Sequence, residues 1–401
     1  MTAASAHGAR VVVLDHCAQP SGGQLALLRT LPHLRDVASH VILFEDGPMV
    51  DRYRGAGIPV EVLPLDPAVA ARPRDARVLS AGSAAAVGRS AAFTARLARR
   101  LRTLQPDIVH ANSLKAIVVG IPAARAARRP LVAHVRDRLA ADYLPASQAW
   151  AMRGLVRAGA RGVVANSAAT LATVGRLRVP HAVIPSPGAP VAPVASSAAR
   201  RGPLTFAMVG RISPWKGQDV FLRAFARAFP DGSERARIVG APLFGESAYQ
   251  HELERLVAEL GLAERVHFTG HRDDVVAEYG RADVLVHAST LPEPFGQVIV
   301  EGLAAGLPVL ASDAGGPREI LTHGETGLLH RPGDAVELAA HLRLVADDAA
   351  LRARLRVAGL QVAERYDPAR LAEELEALYG AVLGGAVEAR PVHRLPRTAP
   401  R

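Results

Sequence analysis

Short apolar segments alternate with stretches of helical spacing along almost the whole chain, and this alternation constrains the fold more than any other feature. Strands separated by helices are typical of parallel, doubly wound sheets. The predicted strands are Val11–Leu14, Val41–Phe44, Val60–Leu63, Asp107–His110, Leu131–His134 and Gly162–Ala165, followed by Leu204–Val209, Ala236–Val239, Arg265–Phe268, Val284–His287 and Pro308–Ala311. The sequence therefore predicts an α/β protein.

The predicted strands fall into two series, separated by a segment rich in Pro, Ala and Ser. At 401 residues the chain is long enough for two domains that each bury a core. We expect an N-terminal Rossmann-like domain over 1–190, a linker over 191–203 and a C-terminal Rossmann-like domain over 204–367. A helix is expected over 368–385, with a return to the first domain left open, and the basic tail 386–401 is expected to be disordered.

Composition limits where the protein works and what it contacts. No apolar run reaches the ~18 residues that a membrane span requires, the N-terminus lacks signal-peptide features, and Cys17 is the only cysteine. These features favour a cytoplasmic protein without an intrachain disulfide or a cysteine-based zinc cluster.

The two halves of the chain differ in charge. Residues 1–200 contain 25 Lys and Arg against 11 Asp and Glu, a balance of +14, whereas residues 201–401 contain 23 against 27. A basic half predicts an anionic partner, such as a phospholipid surface, a lipid-phosphate acceptor or nucleic acid, and Arg96, Arg99, Arg100 and Arg102 are candidate contacts. An Arg-rich surface set by genome composition is an equal alternative.

One candidate phosphate loop follows the first strand of the second series. Gly210 and Arg211 come directly after that strand, and Lys216 with Gly217 closes the loop before an apolar helix. Arginine offers a planar fork of donors and lysine a compact charge, a combination that suits a diphosphate. The segment is not a P-loop, because GxxxxGK[ST] is absent. A solvated loop remains the alternative.

A second motif places two carboxylates around a Pro-Phe-Gly turn. Glu293 precedes the turn, and the apolar helix from Gln297 carries Glu301. Gly296 lets a ligand approach the backbone closely, and the first N–H groups of the helix favour an anion. Glu301 could accept hydrogen bonds from ribose hydroxyls, and Glu293 from the hydroxyls of a transferred sugar.

Other positions at strand ends give weaker signals. The segment Val266–His271, which contains Gly270, could read a nucleobase edge with its backbone, and Gly22 with Gly23 could contact an anion or a sugar. His110 and His134 end neighbouring strands; each alone is typical of a structural residue, but together they are candidates to line a site.

The two motifs together resemble those of retaining nucleotide-sugar glycosyltransferases of family four, the glycosyl transferases group 1. The resemblance implies the GT-B fold, with two Rossmann-like domains and an interdomain cleft. It implies that Arg211 and Lys216 bind the donor diphosphate. It also implies that Glu301 holds the ribose and that Glu293 contacts the donor sugar.

The resemblance extends to further positions of the donor site and to the first domain. It implies that Phe295, Gly296 and Gln297 contact the donor through their backbone. His134 then fits a histidine beside the reacting carbon, and the N-terminal glycine loop matches Gly22 and Gly23. The implied catalytic residues are therefore His134, Arg211, Lys216 and Glu293.

The implied reaction is transfer of a hexose, with retention at the anomeric carbon, from a nucleotide-diphosphate sugar to an acceptor hydroxyl. Such enzymes act in glycan, glycolipid or glycosylated natural-product synthesis, and generally need no cofactor and no divalent metal. An anionic or lipid-linked acceptor and peripheral contact with the inner membrane surface are left open, whereas a nucleic-acid partner is not expected. A nucleotide-sugar epimerase and a non-catalytic nucleotide-sugar-binding module remain alternatives.

Overall fold

The computed structural model describes residues 8–66, 83–189, 202–242 and 245–384, with the side chains of 83–87 left out. The chain divides into two compact units, one of Met1–Pro187 with Pro368–Arg401 and one of Gly188–Asp367. The predicted linker lies outside the described residues except for its last two positions. The predicted tail over 386–401 lies outside them entirely.

The first unit contains a parallel sheet of seven strands in the order β3-β2-β1-β4-β5-β6-β7. The strands are β1 (Ala9–Asp15), β2 (Val37–Leu43), β3 (Val60–Val62), β4 (Ile108–Ala111), β5 (Leu131–Val135), β6 (Gly162–Ala165) and β7 (His181–Val183). The helices are α1 (Gly22–Thr30), α2 (Pro48–Gly55), α3 (Ser83–Leu104), α4 (Leu114–Ala126), α5 (Ala146–Gly159), α6 (Ala168–Val174) and the C-terminal helix (Pro368–Gly384).

The second unit contains a parallel sheet of six strands in the order β10-β9-β8-β11-β12-β13. The strands are β8 (Thr205–Val209), β9 (Arg235–Val239), β10 (Val266–Gly270), β11 (Val284–His287), β12 (Val309–Ser312) and β13 (Leu328–His330). The helices are α7 (Gln218–Ala228), α8 (Ser247–Glu259), α9 (Val275–Tyr279), α10 (Gln297–Ala304), α11 (Pro317–Ile320), α12 (Ala335–Asp347) and α13 (Ala349–Ala363).

Both sheets confirm the predicted α/β class, and both add a strand that the sequence analysis missed. The last strand of each sheet, β7 or β13, is only three residues long. Such a short segment gives little alternation or length by which to recognise a strand. In both units the strand order reverses between the first and fourth strands, β1 and β4 or β8 and β11, which is where open parallel sheets bind ligands.

The sheet of the first unit is covered on both faces, because successive side chains of a strand point to opposite sides. In β1, Val12 and Leu14 join one apolar cluster while Val11 and Val13 join another. The second of these clusters includes Leu371, Leu375, Leu378 and Tyr379 of the C-terminal helix. The last helix that the structure describes is therefore part of the core of the first unit.

Capping residues explain where several helices begin. The Ser113 and Ser167 side chains accept from backbone N–H groups at the starts of α4 and α6. Asp334 and Asp348 do the same for α12 and α13. Each such cap contributes about 1 kcal/mol.

Among the helices that the structure describes, none is long and apolar enough to cross a membrane.

Candidate active site

The predicted phosphate loop lies at the carboxyl end of β8 and is held close to β11. Gly217 has a φ of 75°, and a Cβ there would lie 2.1 Å from the Ala288 carbonyl oxygen, so glycine is required. The Thr290 N–H donates to the Trp215 carbonyl at 2.8 Å. These contacts place the loop's cations beside the residues that follow β11.

Lys216 and Glu293, which lie 77 residues apart in the sequence, form an ion pair. The Lys216 Nζ is 2.6 Å from Glu293 Oε2. The same oxygen is 2.8 Å from the Ser289 hydroxyl and 3.1 Å from His287 Nε2. All contacts of this carboxylate within the described residues fall on Oε2, which leaves Oε1 to a substrate hydroxyl.

The environment of Glu293 keeps its carboxylate ionised. Burial alone would raise the pKa of Glu293, but the Lys216 charge and the hydrogen bond from His287 outweigh burial and hold the pKa well below its usual range. A carboxylate with three donors on one oxygen is a poor covalent nucleophile. It is suited instead to orienting a hydroxyl group.

The predicted Pro-Phe-Gly turn is packed tightly against the loop that follows β12. A Cβ at Gly315 would lie 2.2 Å from the Glu293 carbonyl oxygen, and a Cβ at Gly316 would lie 2.2 Å from that of Phe295. The Gly316 N–H donates to the Glu293 carbonyl at 2.8 Å. The Phe295 ring is buried in the core, so this residue can offer a ligand only its backbone.

Gly296 and Glu301 belong to the start and the body of α10. Gly296 is its N-cap, with a φ of 99°. Glu301 is buried to 7% exposure, and its Oε2 accepts from the Tyr279 hydroxyl at 2.8 Å. Its Oε1 is 3.3 Å from Gln297 Nε2. Tyr279 therefore fixes one face of a carboxylate that the sequence analysis had assigned to ribose.

Arg211 follows β8, and Gly270 ends β10, which lies on the other side of β9 in the same sheet. Arg211 Nε lies 3.5 Å from Glu246 Oε2, and the Ser213 hydroxyl donates to Glu246 Oε1 at 2.6 Å. Gly270 ends β10 with a φ of 70°, and its carbonyl accepts from the Gly240 N–H at 3.0 Å. Both predicted phosphate cations thus have carboxylate partners within the second unit.

Four side chains that complete this arrangement were not predicted from the sequence, namely His287, Ser289, Tyr279 and Glu246. His287 and Ser289 stand just before Glu293 in the sequence, so their proximity to the turn was a usable signal. Tyr279 and Glu246 lie in other loops or helices, and nothing in the sequence connects them with the two motifs.

The first unit has a polar cluster at the carboxyl ends of β1, β4 and β5. Asp15 Oδ2 accepts from Asn112 at 2.6 Å and from Gln24 at 2.9 Å. Arg136 Nε donates to Asn112 Oδ1 at 2.7 Å. Burial lowers the pKa of Arg136 to about 10, so the guanidinium remains charged at neutral pH. The sequence analysis did not single out Arg136.

The predicted glycine loop and histidine lie near this cluster. Gly22 and Gly23 begin α1, and a Cβ at Gly23 would lie 3.0 Å from Arg136 Cδ. His134 lies one residue before the end of β5 rather than at its end, is 5% exposed and contacts His110. Its predicted place beside the reacting carbon stays a prediction.

These two parallel α/β units, with charged residues at the carboxyl ends of their strands, define a GT-B glycosyltransferase architecture. The family model for glycosyl transferases group 1 matches residues 194–362, and that for glycosyltransferase family 4 matches residues 25–187. The chain belongs to this family, the group 1 glycosyltransferases of family four.

Among solved structures, Anabaena HepE in complex with UDP and glucose is 31% identical with a TM-score of 0.80, and the match covers 92% of this chain and 98% of that one. The D-inositol 3-phosphate glycosyltransferase of Corynebacterium diphtheriae is 36% identical over 179 residues, 43% of this chain and 42% of that protein. The lipopolysaccharide core biosynthesis glycosyltransferase LpsD of Rhizobium meliloti is 42% identical over 117 residues, covering 29% and 34%. The chain thus spans less than half the length of these two curated relatives.

Proposed function

We propose that the protein transfers a hexose from a nucleoside-diphosphate sugar to an acceptor hydroxyl, with retention at the anomeric carbon. The observation that carries the proposal is the Lys216–Glu293 pair, which sets a cation for the diphosphate beside a carboxylate whose Oε1 is left for the sugar. The UDP and glucose bound by Anabaena HepE support a uridine-linked hexose as the donor.

Each of the four charged site residues of the second unit has a defined role in this proposal. Arg211 and Lys216 stabilise the charge that develops on the leaving diphosphate, and the first N–H groups of α10 add a positive helix end. Glu301, oriented by Tyr279, accepts from the ribose hydroxyls. Glu293 orients the transferred sugar. The acceptor hydroxyl loses its proton to the departing phosphate on the same face of the sugar.

In this proposal the two cations supply the charge stabilisation that a divalent metal supplies elsewhere, and no further cofactor is required. Turnover should then persist in excess EDTA. Loss of turnover in EDTA, with recovery on adding Mg²⁺ or Mn²⁺, would refute this part of the proposal.

Product analysis tests the reaction and separates it from its alternatives. The protein is incubated with UDP-, GDP-, ADP- and dTDP-hexoses, with and without candidate acceptors, and the anomeric configuration of the product is read by proton NMR. Retained configuration in a transferred sugar supports the proposal. An inverted product contradicts retention, an epimerised donor without acceptor indicates an epimerase, and donor binding without turnover indicates a binding module.

We further propose that the first unit faces an anionic acceptor or an anionic membrane surface. The +14 balance of residues 1–200 and the exposed side chains of Arg96, Arg99 and Arg102 support this. Arg100 is a weaker candidate than the sequence analysis expected, because it forms an ion pair with Glu61 at 2.8 Å. Co-sedimentation with vesicles of anionic lipid at low and high salt tests the membrane form, and protein that stays in the supernatant at low salt contradicts it.

A further inference from the structure

Three buried side chains of the first unit form a continuous hydrogen-bonded chain. The Tyr379 hydroxyl lies 2.7 Å from His110 Nδ1, and His110 Nε2 lies 3.2 Å from His134 Nδ1. Tyr379 belongs to the C-terminal helix, whereas the histidines belong to β4 and β5. This series of hydrogen bonds ends at His134 Nε2, which is buried and has no hydrogen-bond partner among the described residues.

Both histidines are neutral, so the hydrogens along this chain can be counted. Burial, with a further effect from the Arg136 charge, lowers the pKa of His110 to about 3 and that of His134 well below its usual range. A neutral imidazole carries one N–H, so each ring donates at one nitrogen and accepts at the other. Only two orders of donation are therefore possible.

In the first order, Tyr379 donates to His110, His110 donates to His134, and the hydrogen of His134 lies on Nε2. In the second order every donation is reversed, and the Tyr379 hydroxyl hydrogen is left without an acceptor. Tyr379 is fully buried in the apolar cluster that contains Leu375 and Leu378. An unsatisfied donor in such surroundings costs about 1–3 kcal/mol.

The two ends of this hydrogen-bonded series, the Tyr379 hydroxyl and His134 Nε2, differ in which acceptors they can find. His134 is two residues before Arg136, near the carboxyl ends of the strands, where open parallel sheets bind ligands. A ligand oxygen there can accept the hydrogen of His134 Nε2. Within the described residues, no acceptor other than His110 lies within hydrogen-bond distance of the Tyr379 hydroxyl. The first order is therefore favoured once an oxygen of a ligand or of water accepts from His134 Nε2, which has no partner in the described protein.

We infer that Tyr379 is a positioning residue, which through His110 holds His134 as a hydrogen-bond donor at Nε2 to a substrate oxygen at the carboxyl ends of this unit's strands. The inference rests on the proposed sugar transfer. It makes His134 a neutral donor rather than a general base. It also makes the C-terminal helix, the element of this unit most distant in sequence, a contributor to the site.

Histidine tautomers and kinetics together test this inference. In protein labelled with ¹⁵N-histidine, NMR should show native His134 protonated at Nε2 and bare at Nδ1. Tyr379→Phe keeps the ring but removes the donor to His110, so the two orders become similar in free energy and His134 should become a mixture of tautomers. We expect kcat to fall about 10-fold, with the KM for the donor sugar within about two-fold of native.

Tyr249→Phe is the matched control, because its hydroxyl also loses a short hydrogen bond, to Asp219 at 2.9 Å, in the second unit. It should change neither the His134 tautomer nor kcat. A native His134 protonated at Nδ1 would overturn the inference even if Tyr379→Phe did not fold. An unchanged tautomer in Tyr379→Phe, or an altered tautomer with native kcat, would also overturn it.

The same samples separate this inference from the proposed function. Native protein that transfers no sugar from any donor would refute the proposed function and, with it, the role of His134 toward a sugar. The tautomer pattern of that sample would still show whether the order of donation from Tyr379 is right.

Discussion

The two units share one strand order but use the carboxyl ends of their strands differently. In the first unit Asp15, Asn112 and Arg136 bind one another, so the cluster is largely satisfied internally. In the second unit Arg211 and Lys216 are paired with carboxylates across loops. The shared scaffold fixes where ligands bind, whereas the loops after the strands decide what chemistry is available.

This difference in how the charged side chains are paired matters most for the binding of an anionic donor. A diphosphate can reach Arg211 and Lys216, because both ion pairs remain partly exposed. It cannot as readily enter the first unit's cluster without displacing a network around a buried aspartate. We therefore expect the largest losses of donor chemistry from changes in the second unit.

Removing a phosphate-loop cation should give the largest effect. Lys216→Ala or Arg211→Ala should lower kcat about 100-fold or more, since each loses a preorganised charge worth ~3 kcal/mol in the transition state. Steady-state kinetics with the active donor measures this. Lys115→Ala, which changes the only other lysine, should keep native turnover. Near-native kcat in both loop variants would remove the basis for the comparison between units.

Acid should act on His110 of the first unit and on Glu293 of the second over different pH ranges. Folded His110 has a pKa of about 3 against 6.5 when unfolded, so the unfolded state binds more protons and stability falls as pH drops below about 6.5. Between pH 6.5 and 5 this costs about 2 kcal/mol. Glu293, with its depressed pKa, stabilises fully above its unfolded value of 4.5 and loses that contribution only below it.

Hydrogen exchange of peptides from β4 and from β11, measured between pH 5 and 7.5, distinguishes the two ranges. Relative to native protein, His110→Asn should show a weaker loss of protection in β4 as pH falls from 6.5 to 5. Glu293→Gln should leave the pH dependence over that interval unchanged. Equal dependence in native and His110→Asn protein would contradict the assignment of a neutral, buried His110.

Sequence periodicity was sufficient to predict the fold class and eleven of the thirteen strands that the structure describes, because apolar runs stand out between helical stretches. The strands β7 and β13 contain three residues each, but length alone does not explain why they were missed, because β3 is equally short and was predicted. The two motifs placed Lys216 and Glu293 in one site, and their side chains do meet. Their contact with a ligand stays a prediction. Their partners Tyr279 and Glu246 depend on tertiary contacts that local spacing does not encode.

The first unit was harder to interpret for a physical reason. His134 was expected at a strand end, yet the strand continues to Val135 and the side chain lies in a buried hydrogen-bonded chain. That chain includes Tyr379, which is 269 residues from His110 in the sequence. A contact over such a distance requires the C-terminal helix to pack in the first unit, and the sequence analysis left that return open.

Loss of the phenol that orients Glu301 should have an intermediate effect. Tyr279→Phe removes the hydrogen bond to Glu301 Oε2, so UDP should bind about 10-fold more weakly by calorimetry. Glu301→Ala should weaken UDP binding at least as much. Tyr249→Phe, which alters another phenol–carboxylate pair, should bind UDP normally. Native affinity in Glu301→Ala would refute the assignment of this carboxylate to ribose.

The smallest expected effect is a gain in stability in the first unit. A Cβ at Gly154 in α5 would meet no heavy atom within 4 Å, whereas one at Gly302 in α10 would lie 2.3 Å from Leu285 Cδ2. Gly154→Ala should therefore stabilise the first unit by about 0.5–1 kcal/mol, because alanine loses less backbone entropy in a helix. Gly302→Ala should destabilise the second unit, because the Leu285 side chain must move. Urea denaturation of both variants measures the signs. Two effects of the same sign would show that the packing difference between these helices does not control their tolerance of a methyl group.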